Sequence, residues 1–347
     1  MDFPGLYLKA VKASSAIALF RRHEGLADNC AFTDYSGMNL IRNYIGQQGF
    51  VVLDGALATE LERHGADLDD PLWSARCLIE SPELISRVYM DYLLAGADVL
   101  TSATYQASLK GFQARGLSVH QAIALLRQGV ELALVARDDF WSEKENRHGR
   151  LKPLVAASVG PFGACLHDGS EYHGNYTASW AEVEAFHRSR LDVLADSGAD
   201  LLAFETIPSL PEAELLLQLL ADYPDKHAWL SFSCRDEAHV SHGESFRDCA
   251  KVASQQEQVA AVGINCTAPR YVTALLNSVN DLQCPLLVYP NSGETWVANE
   301  NCWIGEGIGR LNAADWFRAG ARLIGGCCRT GPEDIAGIRA MLASMAG

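Results

Sequence analysis

The chain has 347 residues, 48% of them hydrophobic, and a formal net charge of −15 at pH 7. An acidic balance without a basic cluster excludes proteins that bind nucleic acids or anionic membranes through their charge, and no apolar run approaches the roughly 20 residues that cross a bilayer. Ten cysteines without a convincing signal peptide predict a cytoplasmic protein with reduced thiols rather than a disulfide framework.

The first 37 residues differ from the rest of the chain. They carry basic residues, among them Arg21 and Arg22, beside the short apolar stretch ASSAIALF. Interspersed acidic residues and the lack of a clear cleavage site argue against a targeting peptide. We therefore predict an N-terminal extension without assigned chemistry over residues 1–37, followed by a single domain over residues 38–347.

From Phe50 onward, short apolar runs typical of buried strands alternate with segments of helical periodicity. The eight strand-like runs, in chain order, are FVVLDGA, DVLTSATY, PLVAASVGPFG, DLLAFETI, AWLSFSC, VAAVGINC, PLLVYPNSG and RLIGGCC. The turns AGAD, SGAD and AGAR each end a helix with glycine just before the next strand. Eight repeats favour a closed (β/α)8 barrel of the TIM type over an open doubly wound sheet. The helical pattern is weakest after the fifth and seventh strands.

Polar residues stand at the carboxyl ends of seven of these strands. Because the active site of a (β/α)8 barrel lies at that rim, they are candidates for a site: Asp54 and Gly55, Thr104 and Tyr105, Ser158, Glu205 and Thr206, Asn265 and Cys266, Tyr289 and Asn291, and Cys327 and Cys328. Taken singly, Asp54, Thr206 and Asn291 are more simply explained as turn formers or helix caps. The coincidence of seven such ends favours a functional site.

Three of these residues are cysteines that can form a metal site. Cys266 ends the segment GINC, and Cys327 and Cys328 are adjacent in GGCCRT. Zinc binds thiolates, and three protein ligands with one open position are typical of catalytic zinc. Two alternatives are a redox dithiol of Cys327 and Cys328, which leaves Cys266 unused, and a noncatalytic structural zinc, which requires a fourth protein ligand. Adjacent cysteines are also often two small buried residues.

Nine motifs carry a resemblance to a known family. They are DGALATELERHG, DPLWSA, TSATYQAS, SVGPFG, DGSEY, FETIP, GINC, VYPNSGE and GGCCRT. From about Asn39 to its C-terminus the chain resembles the homocysteine S-methyltransferase family, which includes betaine-homocysteine methyltransferase, and most closely the branch that uses S-methylmethionine. The resemblance implies a barrel, Zn²⁺ bound by Cys266, Cys327 and Cys328, and methyl transfer to the thiol of homocysteine, which forms methionine.

The resemblance also implies which residues bind homocysteine. Asp54, Gly55 and Glu205 fall where the family binds its amino acid part, and Thr206 is placed to assist. A carboxylate beside the substrate ammonium makes a charge-assisted pair. The thiol has an ordinary pKa of about 8.5, and binding to a cation deprotonates it. The three cysteines are therefore expected to be catalytic through zinc as well as metal ligands.

For the methyl donor, the resemblance implies contacts with Trp73 and Tyr105, since aromatic faces attract a sulfonium as they do other cations. Asn265 and Asn291 are expected to orient the substrates or neighbouring loops. S-methylmethionine is the expected donor, followed by S-adenosylmethionine and then betaine. No histidine has convincing ligand spacing, and no dinucleotide or P-loop motif is present. The sequence leaves the oligomeric state open.

Overall fold

The computed structural model describes residues 39–68, 73–166, 168–297, 302–305, 307 and 311–346. The extension predicted over residues 1–37 lies outside the described residues. The domain predicted from residue 38 is described from Asn39, where the side chain of Asn39 accepts a hydrogen bond from the Arg42 N–H and caps the first helix.

The strands of the described chain are β1 Val51–Val52, β2 Val99–Thr101, β3 Leu154–Val159, β4 Leu201–Ile207, β5 Ala228–Phe232, β6 Val259–Asn265, β7 Leu286–Tyr289, β8 Thr295–Val297, β9 Cys302–Ile304 and β10 Ala321–Ile324. Eight of them form one parallel sheet in the order β1-β10-β7-β6-β5-β4-β3-β2. A parallel bridge between Leu53 and Val99 joins β1 to β2 and closes the barrel. The prediction of a (β/α)8 barrel is confirmed. β8 and β9 pair antiparallel outside it.

The helices are α1 Leu40–Gln48, α2 Leu57–Arg63, α3 Cys77–Glu80, α4 Pro82–Ala95, α5 Leu109–Ala114, α6 Val119–Ser142, α7 Trp180–Leu194, α8 Leu210–Leu220, α9 Phe246–Ser254, α10 Pro269–Ser278, α11 Ala313–Arg318 and α12 Pro332–Ala346. The glycines of the three predicted helix-ending turns have positive φ, at Gly96, Gly198 and Gly320. Among the described helices, none combines the length and the apolar character needed to cross a membrane.

The buried side chains form two layers, because successive residues of a strand point to opposite faces. Val51 and Leu53 pack inside the barrel with Ile41 and Tyr44 of α1. Val52, between them, belongs to the larger cluster that the strands share with the surrounding helices. The α1 helix therefore closes the amino-terminal end of the barrel. That leaves the carboxyl end for a functional site.

Candidate active site at the carboxyl ends of the strands

The three predicted metal ligands converge at the carboxyl end of the barrel. Cys266 follows β6, and Cys327 and Cys328 follow β10, on the two sides of β7. The backbone N–H groups of Cys266 and Cys327 donate to the carbonyls of Tyr289 and Pro290 at 3.2 and 2.8 Å. Cys328 Sγ lies 3.7 Å from Cys266 Sγ and 4.0 Å from Cys327 Sγ. The end of β7 thus holds the three half-buried cysteines together.

Two of these cysteines are close enough for a disulfide to form. The Cα atoms of Cys266 and Cys327 are 5.6 Å apart and their sulfurs are in contact, within the range that allows such a bond. The prediction that these thiols are reduced stays a prediction. For an oxidised form the geometry favours a bond between Cys266 and Cys327 over the alternative of Cys327 with Cys328, whose sulfurs lie 4.0 Å apart.

The donor set fits zinc. The three sulfurs lie within 4.8 Å of one another, and no fourth His, Cys, Asp or Glu of the described chain joins the group. Thiolate sulfur is a preferred ligand of Zn²⁺, and three protein ligands match a catalytic site with an open position rather than a closed structural one. Burial raises the pKa of the Cys328 thiol to about 12, so a cation is needed to make it a thiolate at neutral pH.

Glu205 is the buried carboxyl group of the site. It belongs to β4 and is 7% exposed. Ser158 Oγ donates to its Oε1, and Tyr289 Oη donates to its Oε2 at 3.1 Å. Burial raises the pKa of Glu205 to about 7, against the lowering effect of these two hydrogen bonds. The carboxyl group is held in one orientation and changes charge near neutral pH.

Thr206 and Asn265 form a reciprocal pair between β4 and β6. The Thr206 N–H donates to Asn265 Oδ1, and Asn265 Nδ2 donates to Thr206 Oγ1, both at 2.7 Å. Thr206 has a φ of 61°, a left-handed conformation that a β-branched residue rarely adopts. The Asn265 side chain therefore stabilises a strained backbone beside Glu205, which is a positioning role for both residues.

Asp54 and Gly55 lie at the end of β1. The carboxylate of Asp54 accepts hydrogen bonds from the Thr101 N–H at 2.6 Å and the Thr101 hydroxyl at 2.9 Å, so it ties β1 to β2. Burial raises the pKa of Asp54 to about 8, and the charge of Glu205 adds to the rise. Gly55 lies against Tyr92, whose ring carbon would be 2.9 Å from a β-carbon at that position.

Tyr105 and Trp73 are the two aromatic residues predicted to contact the methyl donor. Tyr105 is half-buried after β2, and a β-carbon on Gly160 would lie 2.7 Å from its ring, so the ring packs on the end of β3. Burial raises the pKa of Tyr105 well above its usual value, and the charges of Tyr172, Glu171 and Glu205 contribute. Trp73 begins a 3-10 turn, but its side chain lies outside the described residues.

Asn291 forms a turn after β7. Its Oδ1 accepts a hydrogen bond from the Gly293 N–H at 3.0 Å, and its own N–H donates to the Thr267 carbonyl at 3.3 Å. Both contacts shape the local loop, as expected for an asparagine that forms a turn. The structure places Asn291 at the rim, where its side chain shapes the loop after β7.

Comparisons with known proteins agree with this geometry. The family model for homocysteine S-methyltransferase matches residues 51–342. The chain is 47% identical over 312 residues to homocysteine S-methyltransferase YbgG of Bacillus subtilis, covering 89% of this chain and 99% of that protein. It is 48% identical over 307 residues to the homocysteine S-methyltransferase of Escherichia coli, covering 87% and 98%. The chain belongs to the homocysteine S-methyltransferase family.

A solved structure gives the same result. The metallated form of homocysteine methyltransferase MmuM from Escherichia coli matches with a TM-score of 0.77 and 47% identity, over 86% of this chain and 99% of that chain. An oxidized form of the same protein matches with a TM-score of 0.77. The predictions of the family, and of a methyltransferase that acts on homocysteine, are confirmed.

Sequence reasoning missed several residues that support the candidate site. Ser158 and Tyr289 were expected at the rim, but not as the two donors to Glu205. Arg190 of α7 is fully buried and donates to the carbonyls of Thr104 and Tyr105 at 2.8 Å. A charged residue on the apolar face of a helix is the signal that could have identified it.

Backbone strain also marks the rim. Among the described non-glycine residues, positive φ occurs at Thr206, Cys266 and Arg329. Thr206 is the penultimate residue of β4, and Cys266 and Arg329 follow β6 and β10. Strained backbone of this kind concentrates at functional sites. No sequence pattern predicts it, because each of these residue types usually adopts negative φ.

Proposed function

We propose that this enzyme transfers a methyl group from S-methylmethionine to the thiol of L-homocysteine, with Zn²⁺ bound by Cys266, Cys327 and Cys328. The observation that carries the proposal is the convergence of three cysteine sulfurs within 4.8 Å of one another. A buried carboxyl group, Glu205, belongs to the same rim. Three sulfur ligands and a carboxylate suit a substrate that has a thiol and an ammonium group.

The cysteines serve this function only when they are reduced. Zinc bound there would supply a Lewis acid that lowers the pKa of a substrate thiol in the open position. Cys266 and Cys327, whose sulfurs are in contact, could not bind a metal as thiolates if they were oxidised to a disulfide. A reducing cytoplasmic compartment, which the cysteine content predicts, would keep them available.

Glu205 is proposed to bind the ammonium group of homocysteine. Its two oxygens are oriented by Ser158 and Tyr289, and each keeps a lone pair for a substrate N–H. Thr206 and Asn265 hold the neighbouring backbone. Asp54, which is tied to Thr101, is proposed to fix the edge of the same pocket beside Gly55 rather than to bind the substrate by itself.

The donor is proposed to lie against Tyr105, with Trp73 and Asn291 at the same rim. The acceptor sulfur attacks the methyl carbon, the bond from that carbon to the sulfonium sulfur breaks, and the donor leaves as a neutral thioether. An aromatic face stabilises the cationic donor, and alignment of the two sulfurs lowers the barrier. S-adenosylmethionine and betaine are the alternative donors.

Cysteine variants test the metal-dependent function. We expect Cys266→Ala, Cys327→Ala and Cys328→Ala each to lose stoichiometric zinc and at least about a hundredfold of the rate of methionine formation, since two ligands hold zinc weakly. Zinc content and turnover are measured on the same reduced samples. Cys165→Ala is the matched control, since this half-buried cysteine lies outside the group. A zinc-free variant with full activity would contradict the proposal.

A further inference from the structure

Glu171 lies in the loop after β3, within the motif DGSEY. The backbone of this loop packs tightly, because a β-carbon on Gly163 would be 2.5 Å from the Glu171 nitrogen. Ser233, after β5, donates from its hydroxyl to the Glu171 carbonyl at 3.4 Å. The loop therefore reaches from β3 towards the end of β5, across the rim that carries the site, and its position is fixed by backbone contacts.

The side chain of Glu171 has an unused acceptor. Its Oε2 is buried and has no hydrogen-bond partner among the described residues. A desolvated carboxylate oxygen without a donor is costly, and its cost is relieved by a bound cation. Burial raises the pKa of Glu171 to about 7, and the charge of Asp168 adds to the rise. The group that best completes this position is a cationic hydrogen-bond donor.

Glu171 and Glu205 lie near the same groups of the rim. Both carboxyl groups raise the pKa of Tyr105, which burial raises most, and both raise the pKa of the Cys328 thiol. Glu205 is held by Ser158 and Tyr289, whereas Glu171 Oε2 has no partner among the described residues. Two amino acid substrates that meet at one methyl group need two ammonium positions at this rim.

We propose that Glu171 binds the α-ammonium group of the methyl donor. This inference rests on the proposed function. The carboxylate is assigned to the ammonium rather than to the sulfonium, because the sulfonium loses its charge as the methyl group is transferred. Stabilising that charge would favour the bound donor over the transition state, whereas the ammonium keeps its charge throughout. The rings of Tyr105 and Tyr172 remain for the sulfonium.

The test compares two sulfonium compounds on wild-type enzyme and on Glu171→Gln. S-methylmethionine has the α-ammonium, and dimethylsulfoniopropionate has the sulfonium and a carboxylate but lacks the α-carbon together with its ammonium. We expect Glu171→Gln to raise the KM for S-methylmethionine about tenfold, as for one charged hydrogen bond. The inhibition constant of dimethylsulfoniopropionate, the KM for homocysteine and the zinc content should change by less than about twofold.

Two further variants of the enzyme serve as controls for this comparison. Glu171→Asp keeps the charge on a shorter side chain and should fall between wild type and Glu171→Gln in its KM for S-methylmethionine. Glu237→Gln removes the same charge from an exposed position after β5 and should match wild type. In wild type alone, S-methylmethionine should bind at least about tenfold more tightly than dimethylsulfoniopropionate, a result that requires no variant.

Three outcomes would overturn the inference. They are an unchanged KM for S-methylmethionine in Glu171→Gln, an equal loss for both sulfonium compounds, and equal binding of the two compounds to wild type. An equal loss would assign Glu171 a structural role. The failure of the proposed function is distinct from these outcomes, because wild-type enzyme would then form no methionine from any sulfonium donor.

Discussion

Glu205 changes its charge near neutral pH because burial raises its pKa to about 7. At lower pH the carboxyl group is neutral and pairs poorly with the homocysteine ammonium, and at higher pH it is a carboxylate. We therefore expect the KM for homocysteine to fall about tenfold between pH 6 and pH 8, in proportion to the ionised fraction. Initial rates at saturating donor concentration measure it.

The isosteric variant Glu205→Gln separates this effect from ionisation of the substrate thiol. At pH 8 its KM for homocysteine should be about tenfold higher than that of wild type, and its zinc content should be unchanged. Between pH 6 and pH 8 its KM should lack the decrease that ionisation of Glu205 causes in wild type. If Glu205→Gln and wild type have the same KM at pH 8, Glu205 does not bind the ammonium group.

The contact between the Cys266 and Cys327 sulfurs gives a second expectation for single residues. A disulfide between them removes two of the three thiolates, so the oxidised protein should retain no stoichiometric zinc and no activity, and a dithiol reductant with added zinc should restore both. Metal analysis and turnover before and after reduction measure this. Full turnover by protein whose disulfide is verified by mass spectrometry would contradict it.

At the scale of single residues, the sequence predicts which side chains stand at the rim but not their hydrogen bonds. Spacing and the family motifs indicated the three cysteines and Glu205. The distance from Tyr289 to Glu205 depends on how β7 and β4 face each other across the barrel, which no local pattern contains. For Asn291, by contrast, the sequence was enough. It was most simply explained as a turn former, and its hydrogen bond from the Gly293 N–H agrees with that explanation.

Helix α7 shows how one element supports the rim. It carries two arginines with opposite surroundings. Arg190 is fully buried and donates to the carbonyls of Gly160, Thr104 and Tyr105. Arg188 is exposed and pairs with Asp222 at 2.8 Å. The helix therefore joins the ends of β2 and β3 through a single guanidinium group.

A pair of matched substitutions tests this support. Arg190→Lys should lower the free energy of unfolding by about 2 to 4 kcal/mol. The lysine ammonium cannot reproduce the planar guanidinium, so buried carbonyl groups would be left without donors. Arg188→Lys should change it by less than about 0.5 kcal/mol, as for an exposed ion pair. Urea denaturation measures both. Equal stability of the two variants would exclude the proposed support.

The elements themselves were largely predictable. Buried parallel strands read as apolar runs bounded by glycine turns, and all eight predicted strands are present in the sheet. The pair β8 and β9 was not predicted, because short antiparallel strands outside the barrel lack a long periodic pattern. Their position after β7, followed by the six-residue α11, explains why the helical pattern is weak there.

For the whole molecule, the closed barrel decides where chemistry can occur. Helix α1 covers the amino-terminal end with Ile41 and Tyr44, and the polar strand ends gather at the other end. Residues far apart in the chain, such as Cys266 and Cys327, become neighbours because their strands flank β7. The eightfold alternation of strands and helices in the sequence predicts that the polar strand ends lie together at one rim. The exact separations of the sulfurs follow from strand register and loop packing, which the sequence does not specify.

The measurement that tests the account most directly is methionine formation from homocysteine by reduced, zinc-loaded enzyme and by a chelated sample. S-methylmethionine and S-adenosylmethionine are supplied at equal concentration in parallel. We expect turnover that favours S-methylmethionine, disappears on complete removal of zinc and returns when zinc is restored. Turnover that persists in verified zinc-free enzyme would contradict the central claim.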